Sequence, residues 1–476
     1  MTPRLNTAKP PRFCKLPLED LACAALFAFF AMQGSIPGIA PAQSLEMTSG
    51  APTGLMTIGG IASQAIAYTL ILALVLSRPR RVLRQFAAIA WVALLTLLAL
   101  ASTFWSLDPL LTLRRSLPFA LAGLFGIYFA ARFPPSRQLA ILRFAMTALA
   151  LATIAVVLLL PSIGLDHSPG HAADWQGVFT QKNACGRIMV LATAVILFGE
   201  SRSLARPTRL IALALYVFVL IRSGSRAAWM IEASLLLLWL LVAIARRAGQ
   251  RIRLVLAVAA PFATIALGAF LLLLLPRLAL LLGRDPTLSG RTAIWAQVTH
   301  FIAQRPLVGY GYDAFWRGMQ GPSLQVATAV HFVVVHAHNG FLEIALELGA
   351  VGLLLFVLSW LSAWLQLWPF WQRGEIDRIA WPLAVLVLIA LYDLDENTIL
   401  LYNGLFWILY VSAAATIGNA AKPALSEFTQ RASRTGDCHH THIPTPREIL
   451  SAVSSQEQSA AADPPMGSAC ASPAHR

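Results

Sequence analysis

Three short polar stretches of this chain carry the residue types of proton transfer and anion binding. They are Ser289-Gly290-Arg291 with Ile294-Trp295, Pro306-Leu307-Val308-Gly309-Tyr310-Gly311-Tyr312, and His336-Ala337-His338-Asn339-Gly340-Phe341-Leu342-Glu343. Arginine is permanently charged and planar, so it can grip a phosphate or carboxylate through paired N–H groups. Histidine titrates near neutral pH and can take a proton from a hydroxyl. All three stretches lie between apolar runs, where charge is expensive to desolvate and usually marks a site.

The elements that must position these residues are membrane helices. The 476-residue chain is 57% hydrophobic and 12% charged, far from the balance of a soluble domain. Apolar segments recur at roughly 18–33, 53–77, 85–104, 117–131, 138–160, 184–199, 208–222, 227–245, 254–275, 341–368, 379–393 and 398–417. A spanning helix needs about 20 residues, so the expected fold is all-α: a polytopic membrane protein with about twelve transmembrane helices. Glu19 and Asp20 open the first segment and Pro37 follows it, so a signal peptide ending near Ala40-Pro41-Ala42 is the alternative there.

The net charge of +14 could suggest nucleic acid, but no basic stripe is interleaved with stacking aromatics, and nucleic-acid binding is excluded. The basic residues instead alternate between connections. Arg4, Lys9, Arg12 and Lys15, then Arg78, Arg80, Arg81 and Arg84, Arg132 and Arg137, Arg202, Arg206 and Arg209, Arg246, Arg247, Arg251 and Arg253, and Arg373 and Arg378 fall on one side. The positive-inside rule makes that side cytoplasmic, together with both termini. The outer cations are the exceptions: Arg114, Arg115, Lys182, Arg187, Arg222, Arg226, Arg277, Arg284, Arg291, Arg305 and Arg317. Together they suit an anionic ligand at headgroup depth, although contact with anionic phospholipid is an equal reading for any single one.

Residues 276–339 form the one long outer loop, expected to hold one or two short helices lying on the membrane. Asn339 can cap the helix that follows, and Glu343 in its first turn is favoured by the helix dipole. Residues from 419 onward have no apolar period and read as a disordered cytoplasmic tail, His439, His440 and His442 included. The five cysteines make neither a CxxC pair nor a metal spacing. The expected division is thus 1–175, N-terminal helices; 176–418, a core containing the 276–339 loop; and 419–476, the tail.

Gly177-Val178-Phe179-Thr180-Gln181-Lys182-Asn183, Ser223-Gly224-Ser225-Arg226, Gly290-Arg291 with Trp295, Gly309-Tyr310-Gly311-Tyr312 and the His336–Glu343 stretch together resemble the O-antigen ligase and exopolysaccharide polymerase superfamily. The Lys-Asn element and the paired histidines resemble the exopolysaccharide polymerase branch most. The resemblance covers roughly 175–365. It implies a metal-independent, cofactor-free enzyme of the bacterial inner membrane with its active site on the periplasmic side. The donor would be a glycan on undecaprenyl diphosphate and the acceptor a sugar hydroxyl, with a chain-length regulator and a flippase as further partners. By motif position, His338 falls on the base and Arg226 and Arg291 on the diphosphate-holding arginines.

That chemistry fits the residue types. Departure of a diphosphate builds negative charge that guanidinium groups stabilise, and the acceptor must lose a proton. His338, Arg291 and Arg226 are therefore the expected catalytic residues, with Lys182, Asn183, Arg222, His336, Asn339 and Glu343 as substrate contacts and no metal. His336 and His331 are alternative bases, and Arg222, four residues from Arg226 on one helix face, could only anchor the helix end. Trp295, Tyr312, Phe315 and Trp316 could stack on sugars but read as interfacial aromatics. Gly309 and Gly311 read as a flexible turn. Asp393, Asp395 and Glu396 could repel or orient substrate or bind a divalent ion, but read as a solvated acidic loop. A ligase acting on lipid A core and a protein O-glycosyltransferase share the same signals. A transporter is the alternative from another class, but nearly charge-free mid-helix positions and a nine-to-three division of helices by the long loop argue against it.

Overall fold

The computed structural model describes residues 17–34, 54–167, 173–199, 205–281 and 291–420, apart from the side chains of 54–57 and 273–281. Ser289, Gly290, the Ala40-Pro41-Ala42 segment and the tail beyond 420 lie outside the described residues. Each apolar segment marked in the sequence overlaps a helix, the last one only from Leu405 onward: α1 (Leu18–Ala31), α2 (Gly54–Leu76), α3 (Ala90–Ala101), α4 (Pro109–Arg132), α5 (Pro135–Leu159), α6 (Lys182–Leu197), α7 (Arg206–Arg222), α8 (Arg226–Arg247) and α9 (Gln250–Leu281) precede the long loop. Two further helices, α10 (Arg291–Gln304) and α11 (Gly321–Val330), lie within it, and α12 (Gly340–Arg373), α13 (Ile376–Asp393) and α14 (Leu405–Ala420) follow. No strand occurs among the described residues.

Length and hydropathy suffice for crossing a bilayer in seven stretches among the described residues: Ile58–Leu76, Pro79–Phe104, Pro109–Arg132, Pro135–Leu159, Arg226–Arg247, Gln250–Leu272 and Gly340–Arg373. The other apolar segments form α1, α6, α7, α13 and α14. Of these, α6 and α13 are buried along nearly their whole length, so their apolar character serves the interior of the bundle as well as the bilayer. Arg114 and Arg115 belong to α4 and not to a loop, because Asp108 caps that helix early: its Oδ1 accepts from the Leu111 N–H at 3.1 Å, with Pro109 in the first turn. Helix α1 is packed, with Phe27 and Phe30 fully buried and Phe27 against Phe125 and Phe129 of α4.

Connections assigned to one side by charge meet in space. Glu19 binds Arg132 through two hydrogen bonds of 2.7 and 2.8 Å and lies 3.7 Å from Arg78, while Asp20 pairs with Arg137. On the same logic Arg246 pairs with Asp377 at 2.9 Å. The opposite connections also meet each other, as Leu107 N–H donates to Tyr310 C=O and Arg115 pairs with Asp313 at 3.1 Å.

The loop folds around its own small core of Ile294, Val298, Phe301, Tyr310, Phe315, Trp316, Val326, Val334 and Ala337, closed by Leu346 of α12. Tyr312, Phe315 and Trp316 are fully buried and so are packing residues, not interfacial aromatics. Helix α12 breaks at Gly349 (φ 67°), which strands backbone groups that must find partners. The Pro306–Gly311 strand of loop supplies them: Tyr310 and Gly311 N–H donate to Leu346 and Glu347 C=O, while Ala350 and Val351 N–H donate to Pro306 and Leu307 C=O. Gly309 (φ 66°) lies where a Cβ would sit 2.5 Å from the Glu347 backbone. The glycine-rich stretch is therefore a rigid clasp across a helix break and not a flexible turn.

Candidate active site

The histidine motif is built from its frame inward. Asn339 caps α12, its Oδ1 accepting from the Leu342 N–H at 3.0 Å, and its Nδ2 donates to Leu394 C=O at 3.2 Å. Gly340 permits this approach, since a Cβ there would sit 2.4 Å from Asp393. Glu343 points back under the motif: one oxygen accepts from the Trp316 indole and the other from the Ala337 N–H, both at 2.6 Å. At 1% exposure, Glu343, grouped in the sequence with the substrate contacts, is placed as a strut that fixes Ala337 between the two histidines. Trp295 supports the same residue by donating to Ala337 C=O at 2.9 Å. Glu343→Ala is expected to cost about 2–5 kcal/mol, because two buried donors lose their acceptor, with Glu343→Gln intermediate. Thermal unfolding in detergent measures the order.

His338 adopts a left-handed backbone (φ 50°), uncommon for a residue with a Cβ. That turn folds its ring to 4.0 Å from the His336 ring, and the His338 N–H donates to His336 Nδ1 at 3.2 Å. Both rings are partly open, at 28% and 22% exposure. Glu396 faces both: its Oε2 lies 3.4 Å from His338 Nδ1 and 3.8 Å from His336 Nε2. The other Glu396 oxygen accepts from Arg291 at 3.1 Å, and Arg291 also pairs with Asp395. A cation in the first turn of α10 opposes the helix dipole, and two carboxylates offset it.

Asp395 and Glu396, set aside as a solvated loop in the sequence, join the motif residues in the structure. They are 6% and 7% exposed, and Asp393 is fully buried, with its Oδ1 accepting from the Thr398 N–H and hydroxyl at 2.8 and 2.7 Å. The solvated acidic loop is thus a buried counter-charge for the motif cations. Burial pushes Glu396 upward, but His338, its hydrogen bond, His336 and Arg291 outweigh that and hold it well below the usual carboxylate range. Burial pushes Asp395 up, against the pull of Arg291. Burial, then His338, pushes His336 down to about 3.

The other expected site residues form a second group. Lys182 Nζ pairs with Asp174 at 2.7 Å, and Asn183 Oδ1 accepts from the Ser225 hydroxyl at 3.0 Å. Arg222 stacks over Trp175 at 5.2 Å, and Arg226 stands exposed at the start of α8. Gly224 (φ 62°) lets the Ser223–Ser225 turn approach Asp174, with a Cβ position 2.3 Å from its carboxylate. His331 occupies the left-handed end of α11, apart from these contacts. Among the described residues, His336, His338 and Glu396 form the one trio whose donor atoms, within 4.8 Å of one another, could share a metal ion.

The arrangement offers a histidine backed by a carboxylate, next to an arginine, at the edge of a helical membrane domain. Residues 211–357 match the family described as O-Antigen ligase, a span holding Arg226, Arg291, His336 and His338. The chain is 30% identical over 314 residues to "Exopolysaccharide production protein ExoQ" of Rhizobium meliloti (strain 1021), covering 62% of this chain and 69% of that protein. It is 34% identical over 79 residues to a "Putative polysaccharide ligase" of Rickettsia conorii, covering 16% of this chain and 19% of that protein. A "Putative polysaccharide ligase" of Rickettsia prowazekii matches equally over 79 residues, 16% of this chain and 20% of that one. With its apolar helices and these relationships, the chain is a multi-pass membrane protein belonging to the O-antigen ligase and exopolysaccharide polymerase superfamily.

Proposed function

We propose that this protein is an exopolysaccharide polymerase that transfers undecaprenyl-diphosphate-linked glycan repeats to an acceptor sugar hydroxyl. It would act at the periplasmic face of a bacterial inner membrane, with both termini cytoplasmic. Residues 176–418 would hold the chemistry and 1–175 would complete the membrane scaffold. The observation that carries this reading is the single carboxylate of Glu396 shared by His338 and Arg291, which couples a base to a phosphate-binding cation.

In the proposed step, His338 removes the acceptor hydroxyl proton through Nε2 while Glu396, against Nδ1, fixes the ring and stabilises the imidazolium. The acceptor oxygen bonds to the anomeric carbon as the bond from that carbon to the diphosphate breaks. Arg291 and Arg226 stabilise the departing charge. With the site carboxylates Asp395 and Glu396 buried and paired with Arg291, the proposed step is a single inverting displacement, and a retained anomeric configuration in product from a defined donor would sink it. His336, Lys182, Asn183 and Arg222 would hold substrate.

Glu396 is depressed, so its charge and the stability it supplies are complete above the ordinary carboxylate range and fade only as pH falls toward its lowered value. His336 is depressed as well and stays neutral down to about 3. Neither group changes charge between roughly pH 5 and 8, so His336→Gln should change the height of the pH–rate profile without moving its limbs. A shifted limb would assign the titration to His336. The proposed reaction uses no metal: EDTA should leave transfer unchanged, and added zinc should inhibit by occupying His338. Loss of transfer on chelation, restored by metal, would reverse that reading.

The rickettsial matches keep the ligase reading second, since it differs only in acceptor. A deletion strain separates the two. Lost polymer with single repeats accumulating on the lipid carrier supports the polymerase. Long polymer stranded on the carrier with bare lipid A core supports the ligase, and no change in either glycan overturns both.

A further inference from the structure

Helix α13 ends on a charge that does nothing for the helix. Asp393 is its last residue and is 0% exposed. A carboxylate there opposes the negative end of the helix dipole and has lost its hydration, so both effects disfavour it. The turn that follows offsets the cost. Asp393 Oδ1 accepts from the Thr398 N–H at 2.8 Å and from the Thr398 hydroxyl at 2.7 Å. Those two bonds close residues 394–397 into a loop. The Asp395 and Glu396 N–H groups fix its base by donating to Tyr392 C=O at 3.0 and 2.7 Å.

The same carboxylate sets where the loop meets the histidine motif. Gly340 packs so closely that a Cβ there would lie 2.4 Å from Asp393 Cγ and Oδ1. One residue earlier, Asn339 caps α12 through its Oδ1 and donates through Nδ2 to Leu394 C=O at 3.2 Å. The start of α12 is thereby docked on Asp393 and Leu394, and His338 Nδ1, just before it, meets Glu396 Oε2 at 3.4 Å. Coulomb attraction alone would hold Glu396 near any cation; the docked loop gives it one position. Asp393 Oδ2 makes no hydrogen bond and lies in the field of buried Arg187, so an amide in its place would also remove a counter-charge.

We propose that Asp393 is a positioning residue for transfer: through Thr398 and the Asn339–Gly340 start of α12, it sets the loop that presents Glu396 to His338. This rests on the reading of His338 as base and Glu396 as its orienting carboxylate. Full-length protein in nanodiscs, transferring from a purified lipid-linked donor, tests it by a double-mutant cycle. Asp393→Ala should lower kcat by roughly 10- to 100-fold, the cost of misplacing a catalytic group by about 1 Å. In a Glu396→Gln background the same change should cost no more than about 2-fold, since the residue it positions is already gone. Thr398→Ser, which keeps the hydroxyl and the N–H, should transfer like wild type, and Thr398→Val should fall between. Gly340→Ala, whose methyl group would collide with Asp393, should lower kcat on its own but add little to Asp393→Ala, where the space is free.

Undiminished kcat in folded Asp393→Ala overturns the assignment. So does an equal loss from Asp393→Ala in the wild-type and Glu396→Gln backgrounds, which marks an independent structural role. If Asp393→Ala does not fold, Thr398→Val carries the same cycle. Absence of transfer by wild type overturns the functional reading, and amide exchange then decides the positioning. Faster exchange in Thr398→Val at both 394–398 and 336–339 supports it, whereas unchanged exchange at 336–339 overturns it.

Discussion

His338→Gln is expected to lower transfer by roughly 10²–10⁴-fold, the range that a positioned general base contributes. Glutamine keeps a comparable size and a polar end, so the left-handed turn at position 338 and the Asn339 cap should survive, and the membrane level should match wild type. The loss should appear in kcat more than in KM, because proton removal belongs to the transition state and not to binding. His336→Gln should cost far less, since His336 stands second to His338 against Glu396, at 3.8 Å compared with 3.4 Å. Transfer from a purified lipid-linked donor, with each variant normalised to folded protein, measures both. Equal losses at the two positions would mean that the pair acts as one unit; normal activity for His338→Gln would remove it from the base role.

Glu396→Gln is the second large effect, at least about 10²-fold, by analogy with removing the carboxylate that orients a catalytic histidine. The substitution keeps the shape but removes the charge that His338, His336 and Arg291 share. His338 would lose the group that sets its tautomer, and Arg291 would keep only Asp395. The two consequences can be told apart. If orientation of His338 dominates, kcat falls and donor affinity holds. If Glu396 mainly restrains Arg291, the freed guanidinium should bind donor more tightly and KM should fall. Asp395→Asn serves as the comparison, because Asp395 pairs with Arg291 and makes no ion pair with either histidine among the described residues. Activity in Glu396→Gln equal to wild type would reduce the carboxylate to a structural counter-charge.

Glu396 also explains why half of this site was hard to read. The motif cations announce themselves, since Arg291, His336 and His338 are rare types between apolar runs. Asp395 and Glu396 sit in a short polar connection after α13, where a carboxylate cluster is ordinarily a solvated loop. Only the 104 and 105 residues separating them from Arg291, closed by the fold, convert that loop into a buried counter-charge. Glu343 was legible only in part: its place in the first turn of α12 follows from the helix dipole, but its two partners, Trp316 and the Ala337 N–H, come from packing.

Hydropathy is a local property, since each stretch of about 20 residues must satisfy its own backbone in a bilayer. The sequence by itself therefore determined the membrane class, the helix at every apolar segment and the alternation that gathers Glu19, Arg78 and Arg132 at one face. Capping is equally local, and Asn339 caps α12 as its position predicted. The tertiary structure decided which charges face one another. It seated the Pro306–Gly311 segment in the break at Gly349 and balanced Arg291 against Asp395 and Glu396. A charge's energy depends on neighbours within a few ångströms and on how much water they exclude. Neither quantity exists along the chain until distant helices have packed.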